Sequence, residues 1–91
     1  MKTRLDNRAL RAQKTIDLLR NQIDSLEGWI EIRRKEIIEA IKEDDWAVAA
    51  ERCNAAAEHQ AEILKRWTTI NELRVVVDNG TTHVEEANDF A

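Results

Sequence analysis

Ninety-one residues form one small domain at most, near the lower limit for a self-sufficient core. Charged residues make up 35% and aromatics 4%, with no proline and two glycines, which excludes turn-rich β-sandwiches, barrels and collagenous chains and fits long helices. The net charge of −4 is unevenly placed: residues 1–20 carry six cations and two anions, residues 21–45 four and eight, and residues 78–91 four anions and no Lys or Arg.

Hydrophobic residues reach 43%, too many for a disordered chain of this charge. The longest apolar run, Trp46 to Ala50, is five residues against the about 20 that a membrane span needs, so no membrane partner is expected. The start lacks a secretory apolar core. It resembles an organellar transit peptide only in being amphipathic and Arg-bearing, and Asp6 and Asp17 count against that. The lone Cys53 has no internal disulfide mate, which makes a cytoplasmic location the simplest expectation.

In chain order, the first element is a heptad helix. Leu5, Ala9, Ala12, Ile16, Leu19, Ile23, Leu26, Ile30, Arg33, Ile37 and Ala40 alternate strictly by four and three. The spacing predicts one helix over about 3–43, running unbroken through Gly28. Glu43, Asp44 and Asp45 read as a tight turn, with Asp44 or Asp45 able to cap a second helix. That helix is expected over about 46–76, with a seam of Trp46, Ala49, Cys53, Ala56, Gln60, Ile63, Trp67 and Ile70. A short connection makes the two helices antiparallel neighbours, residue i beside residue 89 − i. Residues 78–91 form an acidic tail. Around Asn79-Gly80 two alternatives stay open: a small β-hairpin over 75–84, or a helix stop followed by a frayed end.

The expected fold is therefore all-α: a long antiparallel, coiled-coil-like helical hairpin. Such a hairpin has no interior, and this one carries more apolar surface than one seam can bury. A homo-oligomer follows, with a dimeric four-helix bundle the plainest solution and a parallel two-stranded coiled coil the other. The residues assigned to core or oligomer contacts are Ile16, Leu19, Ile23, Leu26, Ile30, Ile37, Trp46, Cys53, Ile63, Trp67 and Ile70.

No catalytic constellation emerges. Cys53 and His59 are six residues apart and fall on different helix faces, so they do not make a nucleophile–base pair. His59 and Glu62 give His-x-x-Glu, the reverse of the Glu-x-x-His order of di-metal bundles, with Ala56 where the first ligand would stand. Gly28 and Gly80 are too far apart for a phosphate loop. No enzyme activity, metal or cofactor is expected.

What remains is surface. Arg4, Arg8 and Arg11 share one helical lane that continues into Leu18, Gln22, Ser25, Trp29 and Ile32, changing from cationic to apolar. Exposed Arg and Trp are the residue types that anchor interfaces. Arg33 stands at a core position of the heptad, either in a docking role or paired with a glutamate that fixes register. The expected function is a non-enzymatic, homo-oligomeric protein of adaptor, chaperone or inhibitor type, docking another protein through Arg4, Arg8, Arg11, Leu18, Trp29, Ile32 and Arg33. Its partners would be itself and an unidentified protein. The alternative is nucleic acid: in architecture, though in no sequence motif, a dimer of hairpins resembles the plasmid-encoded Rop-type bundles, which implies RNA bound through the basic start. Net charge and the sparse Lys/Arg content count against that alternative. Compact hairpins of this size are common among phage and plasmid accessory proteins.

Overall fold

The structure is a computed structural model that describes the backbone of residues 3–83 and the side chains of residues 6–80. Two long helices, α1 (Asn7–Lys42) and α2 (Trp46–Asn79), form a hairpin-like pair. Short strands flank them: β1 (Thr3–Leu5) and β2 (Thr81–His83). The chain divides into two compact units, one of Met1–Leu19 with Thr68–Ala91 and one of Arg20–Trp67.

In the first unit, β1 and β2 pair antiparallel, with Thr3 opposite His83 and Leu5 opposite Thr81. Helix α1 therefore starts at Asn7, later than the heptad pattern suggests, and Leu5 belongs to a strand. Asp6 ends the strand and caps the helix. Its Oδ1 accepts from the Ala9 N–H at 2.7 Å, its carbonyl accepts from the Leu10 N–H at 2.8 Å, and its own N–H donates to the Gly80 carbonyl at 3.0 Å. The β-hairpin considered at Asn79-Gly80 is not what forms. Val75, Val76 and Val77 stay helical through Asn79, and the strand that follows pairs with the distant residues 3–5. The physical reason is that an added strand pair closed by Asp6 satisfies backbone groups that an isolated hairpin would leave marginal. The rest of the acidic tail, residues 84–91, lies outside the described residues.

In the second unit the turn satisfies both helix ends within three residues. Asp44 takes the left-handed conformation, φ 56°, and its N–H donates to Ile41 O at 3.1 Å. The Asp45 N–H reaches Ala40 O at 2.8 Å, which together make a Schellman closure of α1. The same Asp45 then caps α2, its Oδ1 accepting from the Val48 N–H at 3.2 Å.

The buried hydrophobic side chains among the described residues are four alanines and four isoleucines: Ala9, Ala12, Ile16 and Ile70 in the first unit, Ile23, Ala40, Ala49 and Ile63 in the second. Leu19, Leu26, Ile30, Arg33 and Ile37 are half-buried, so the α1 seam lies where the heptad places it. The α2 seam does not. Ala49, Ala56 and Ile63 face inward, but the other lane is Arg52, His59 and Arg66, all half-buried, while Trp46, Cys53, Gln60 and Trp67 are exposed. The cross-helix pairs state the shift directly: Gln22 meets Arg66 and Glu36 meets Arg52, each one residue short of the 89 − i register. One residue is about 100° of helix rotation, which swaps the neighbouring lanes. Two causes combine. Buried Ala40 and Ala49 line the seam beside the turn, where an indole would force the helices apart. The polar groups of α1 also need arginine partners, whose aliphatic stems cover the seam while their heads reach its edge.

The two glycines give opposite expectations. A Cβ on Gly80 would lie 2.6 Å from Ala9 Cβ and 2.8 Å from Asp6 Oδ1, whereas one on Gly28 meets nothing within 4 Å. Gly80→Ala should destabilise the first unit by about 1–3 kcal/mol through overpacking against the cap. Gly28→Ala should stabilise by about 1 kcal/mol through helix propensity. Urea melts of the two variants should shift in opposite directions.

Candidate interaction surfaces

The second unit has two unlike flanks. On the first, α1 supplies Gln22, Trp29 and Glu36 and α2 supplies Val48, Ala55 and Glu62, the lanes that border the seam where Gln22 and Glu36 meet α2. Its polar groups are tied together. Glu36 bridges two guanidiniums, one oxygen on Arg33 Nη1 and the other 2.6 Å from Arg52 Nε. Arg52 Nε meets that carboxylate without hydrogen-bond alignment, and Arg33 Nε is buried with no hydrogen-bond partner. Arg52 also reaches Glu51 at 3.1 Å. The Arg33 guanidinium stands 5.6 Å from the Trp29 ring centroid, in cation–π range. Further along, Arg66 donates to Gln22 Oε1 at 3.0 Å and pairs with Glu62 at 2.6 Å. Arg66 and Lys65 hold the Glu62 carboxyl below its ordinary 4.5, chiefly through the Arg66 hydrogen bond.

Trp29 and Ile32 remain 49% and 45% exposed on this flank. Of the expected docking lane, the second unit thus brings Trp29, Ile32 and Arg33 together, with Arg33 held by Glu36. In the first unit Arg8 and Arg11 are exposed on α1 and Leu18 is 56% exposed. Arg4 is in β1, so the helical spacing that joined it to Arg8 and Arg11 does not apply, and its side chain lies outside the described residues. Towards the turn, an open cleft of about 220 Å³ is lined by Glu36, Glu39, Glu43 and Asp45 with Arg52. A second cleft, of about 140 Å³, lies in the first unit against Asp6, Arg8 and Gly80. Both fall below the roughly 300 Å³ at which ligand sites begin.

On the opposite flank α2 presents an uncharged face. Antiparallel packing places the α1 lane of Arg20, Glu27, Arg34 and Ile41 beside the α2 lane of Trp46, Cys53, Gln60 and Trp67. Ile38 and Ile41 are 49% and 45% exposed, Trp46 63% and Leu64 58%. On α2 the exposed residues Trp46, Ala50, Cys53, Ala57, Gln60, Leu64 and Trp67 follow a second 4-3 alternation. Every Asp, Glu, Lys and Arg of α2 between Trp46 and Trp67 stands on another lane. Sequence reasoning assigned four of these seven, Trp46, Cys53, Gln60 and Trp67, to the seam. The signal that could have separated the lanes was the need of Glu36 and Gln22 for basic partners.

Among the described residues, no group of three or more His, Cys, Asp or Glu side chains is placed to hold a metal ion. No helix among them is long and apolar enough to cross a membrane. No family model matches the chain, and no match was found among curated proteins or solved structures.

Two outcomes follow from the charge network. Glu36→Gln leaves two half-buried guanidiniums without their shared anion and should cost about 1–3 kcal/mol, whereas Glu51→Gln at an exposed pair should change stability by under about 0.5 kcal/mol; denaturant melts would separate them. Because the folded pKa of Glu62 is lowered, its stabilising share is in place above pH 4.5 and is lost as pH falls through the lowered value. Carboxyl NMR titration should show that pKa rising back towards 4.5 in Arg66→Gln.

Proposed function

We propose that this chain is a non-enzymatic, homo-oligomeric helical protein that acts by docking another protein, in the manner of an adaptor, chaperone or inhibitor. The observation that carries the reading is the Trp29, Ile32 and Arg33 patch. A large aromatic and a branched aliphatic side chain stand half in water on a rigid helix, and Arg33 over the ring is fixed by Glu36. Buried in a partner, such a Trp–Arg pair is of the kind that carries most of an interface's free energy. The pre-set rotamer of Arg33 lowers the ordering cost of binding. The partner should offer an apolar pocket for the indole, because Arg33 is already neutralised and the neighbouring turn cleft is lined by four carboxylates.

Those carboxylates also disfavour the alternative, a Rop-like RNA-binding bundle. With Arg4 in a strand, the helical basic lane of the first unit reduces to Arg8 and Arg11. Salt separates the two readings. Apolar docking should lose under about tenfold in affinity between 50 and 200 mM salt, while a contact with six or more phosphates would lose about 10³-fold or more.

The test is capture of the partner from the cell of origin, followed by titration. Trp29→Ala should weaken partner binding by about 30-fold or more, a hot-spot loss, while Lys35→Ala should leave it unchanged. If Trp29→Ala instead dissociates the oligomer, that face is structural and the docking assignment is wrong.

A further inference from the structure

The uncharged face of α2 calls for a different occupant from the Trp29 patch. In the sequence 35% of residues are charged, yet a solvent-facing arc of α2 carries no charge from Trp46 to Trp67, a length of about 32 Å. A helix face open to water is normally where charges collect. Its 4-3 spacing keeps the uncharged residues on one stripe of the helix, the width that a second helix covers.

We infer that this face is covered by a second copy of the same chain, its α2 running antiparallel across a two-fold axis at Ala57. The inference rests on the homo-oligomeric reading above and adds the surface and the direction. The size profile is self-complementary, as an isologous contact requires. With Ala57 against Ala57 of the second copy, Leu64 lies against Ala50, Trp67 against Ala47, and Gln60 against Asn54. Bulky residues meet small ones and the amide meets the amide. All of these positions are exposed. A parallel, in-register pairing would instead stack Trp on Trp and Leu on Leu and leave gaps between the alanines.

The two tryptophans supply a substantial share of the area. At exposures of 63% and 36%, Trp46 and Trp67 together offer roughly 200 Å² per copy. That is about a quarter of the about 800 Å² each partner gives to a standard interface. Leu64, the alanines between, and Ile38 and Ile41 on the same flank supply further apolar surface. Arg52 and Arg66 belong to the seam, so the contacting face of α2 itself brings no charge to bury.

The geometry also sets a cysteine test. Cys53 is four residues from the two-fold axis, so the two Cys53 residues of the dimer are separated by about 12 Å along the helices, beyond the roughly 7 Å that a disulfide spans. The wild-type full chain should run as a dimer, twice 10.5 kDa, in native mass spectrometry and should not cross-link through Cys53 under mild oxidation. Cys53→Ser/Ala57→Cys should cross-link almost completely. Ala57→Asp, which sets two carboxylates face to face, should raise the dimer dissociation constant about 100-fold while circular dichroism shows the helices retained. A wild-type dimer locked by Cys53 overturns the antiparallel arrangement. A dimer that survives Ala57→Asp and dissociates in Trp29→Ala overturns the assignment of the face and leaves the homo-oligomer standing. A wild-type monomer at 100-micromolar concentration (on the order of a hundred times a micromolar dissociation constant) overturns the homo-oligomer itself.

Discussion

The rotation of α2 about its own axis decides which residues this protein hides and which it shows, and one carboxylate does much to decide the rotation. Glu36 draws Arg33 and Arg52 to the edge of the seam, and Gln22 with Glu62 does the same for Arg66. Two charges about 4 Å apart in a setting of this partial burial attract by about 4 kcal/mol, and desolvation offsets much of that. The network is therefore a weak source of stability. Its effect is on choice: with Arg52 and Arg66 inward, Trp46, Cys53 and Trp67 must turn outward.

That choice leaves a thin core. Alanine and isoleucine fill the fully buried apolar positions, and alanine brings the helices close at the turn without removing much apolar surface from water. A chain of this size has few ways to make up the difference. It has no disulfide, since its one cysteine is free. What it has is apolar surface on both flanks, which on the proposed reading is buried in contacts with other chains.

The parts of the fold legible in the sequence are those set by local rules. The α1 heptad named Ile16 and Ile23 as buried, and Asp45 was one of two residues singled out to cap α2. The parts that were not legible depend on distant pairs. The partner of β2 is 78 residues away in β1, and no local signal at Asn79-Gly80 distinguishes a hairpin from a helix end followed by such a pairing. Gly80 looked like a turn former or a helix stop by conformation. Its role is instead to leave room for Ala9 and Asp6, which only the closed ends reveal. The α2 seam failed for a related reason. Hydrophobicity favoured the lane holding Trp67 and outweighed the need of Glu36 and Gln22 for basic partners on that side.

The same constraint separates the two exposed faces by chemistry. On the flank of Trp29 the apolar side chains are set among bonded charges: Arg33 over the ring, Glu36 behind it, and the turn carboxylates beyond. On the proposed reading, a partner there meets fixed polar groups that can discriminate, which suits recognition of a particular protein. The face of α2 that carries Trp46 has no charge of its own, and its size profile repeats in reverse. Such a face has little to discriminate with except shape, which on the proposed reading suits a second copy of itself. On the proposed reading, self-association and partner docking do not compete for the same residues, because the charge network that turns one face of α2 towards water also keeps the Trp29 patch on the other flank.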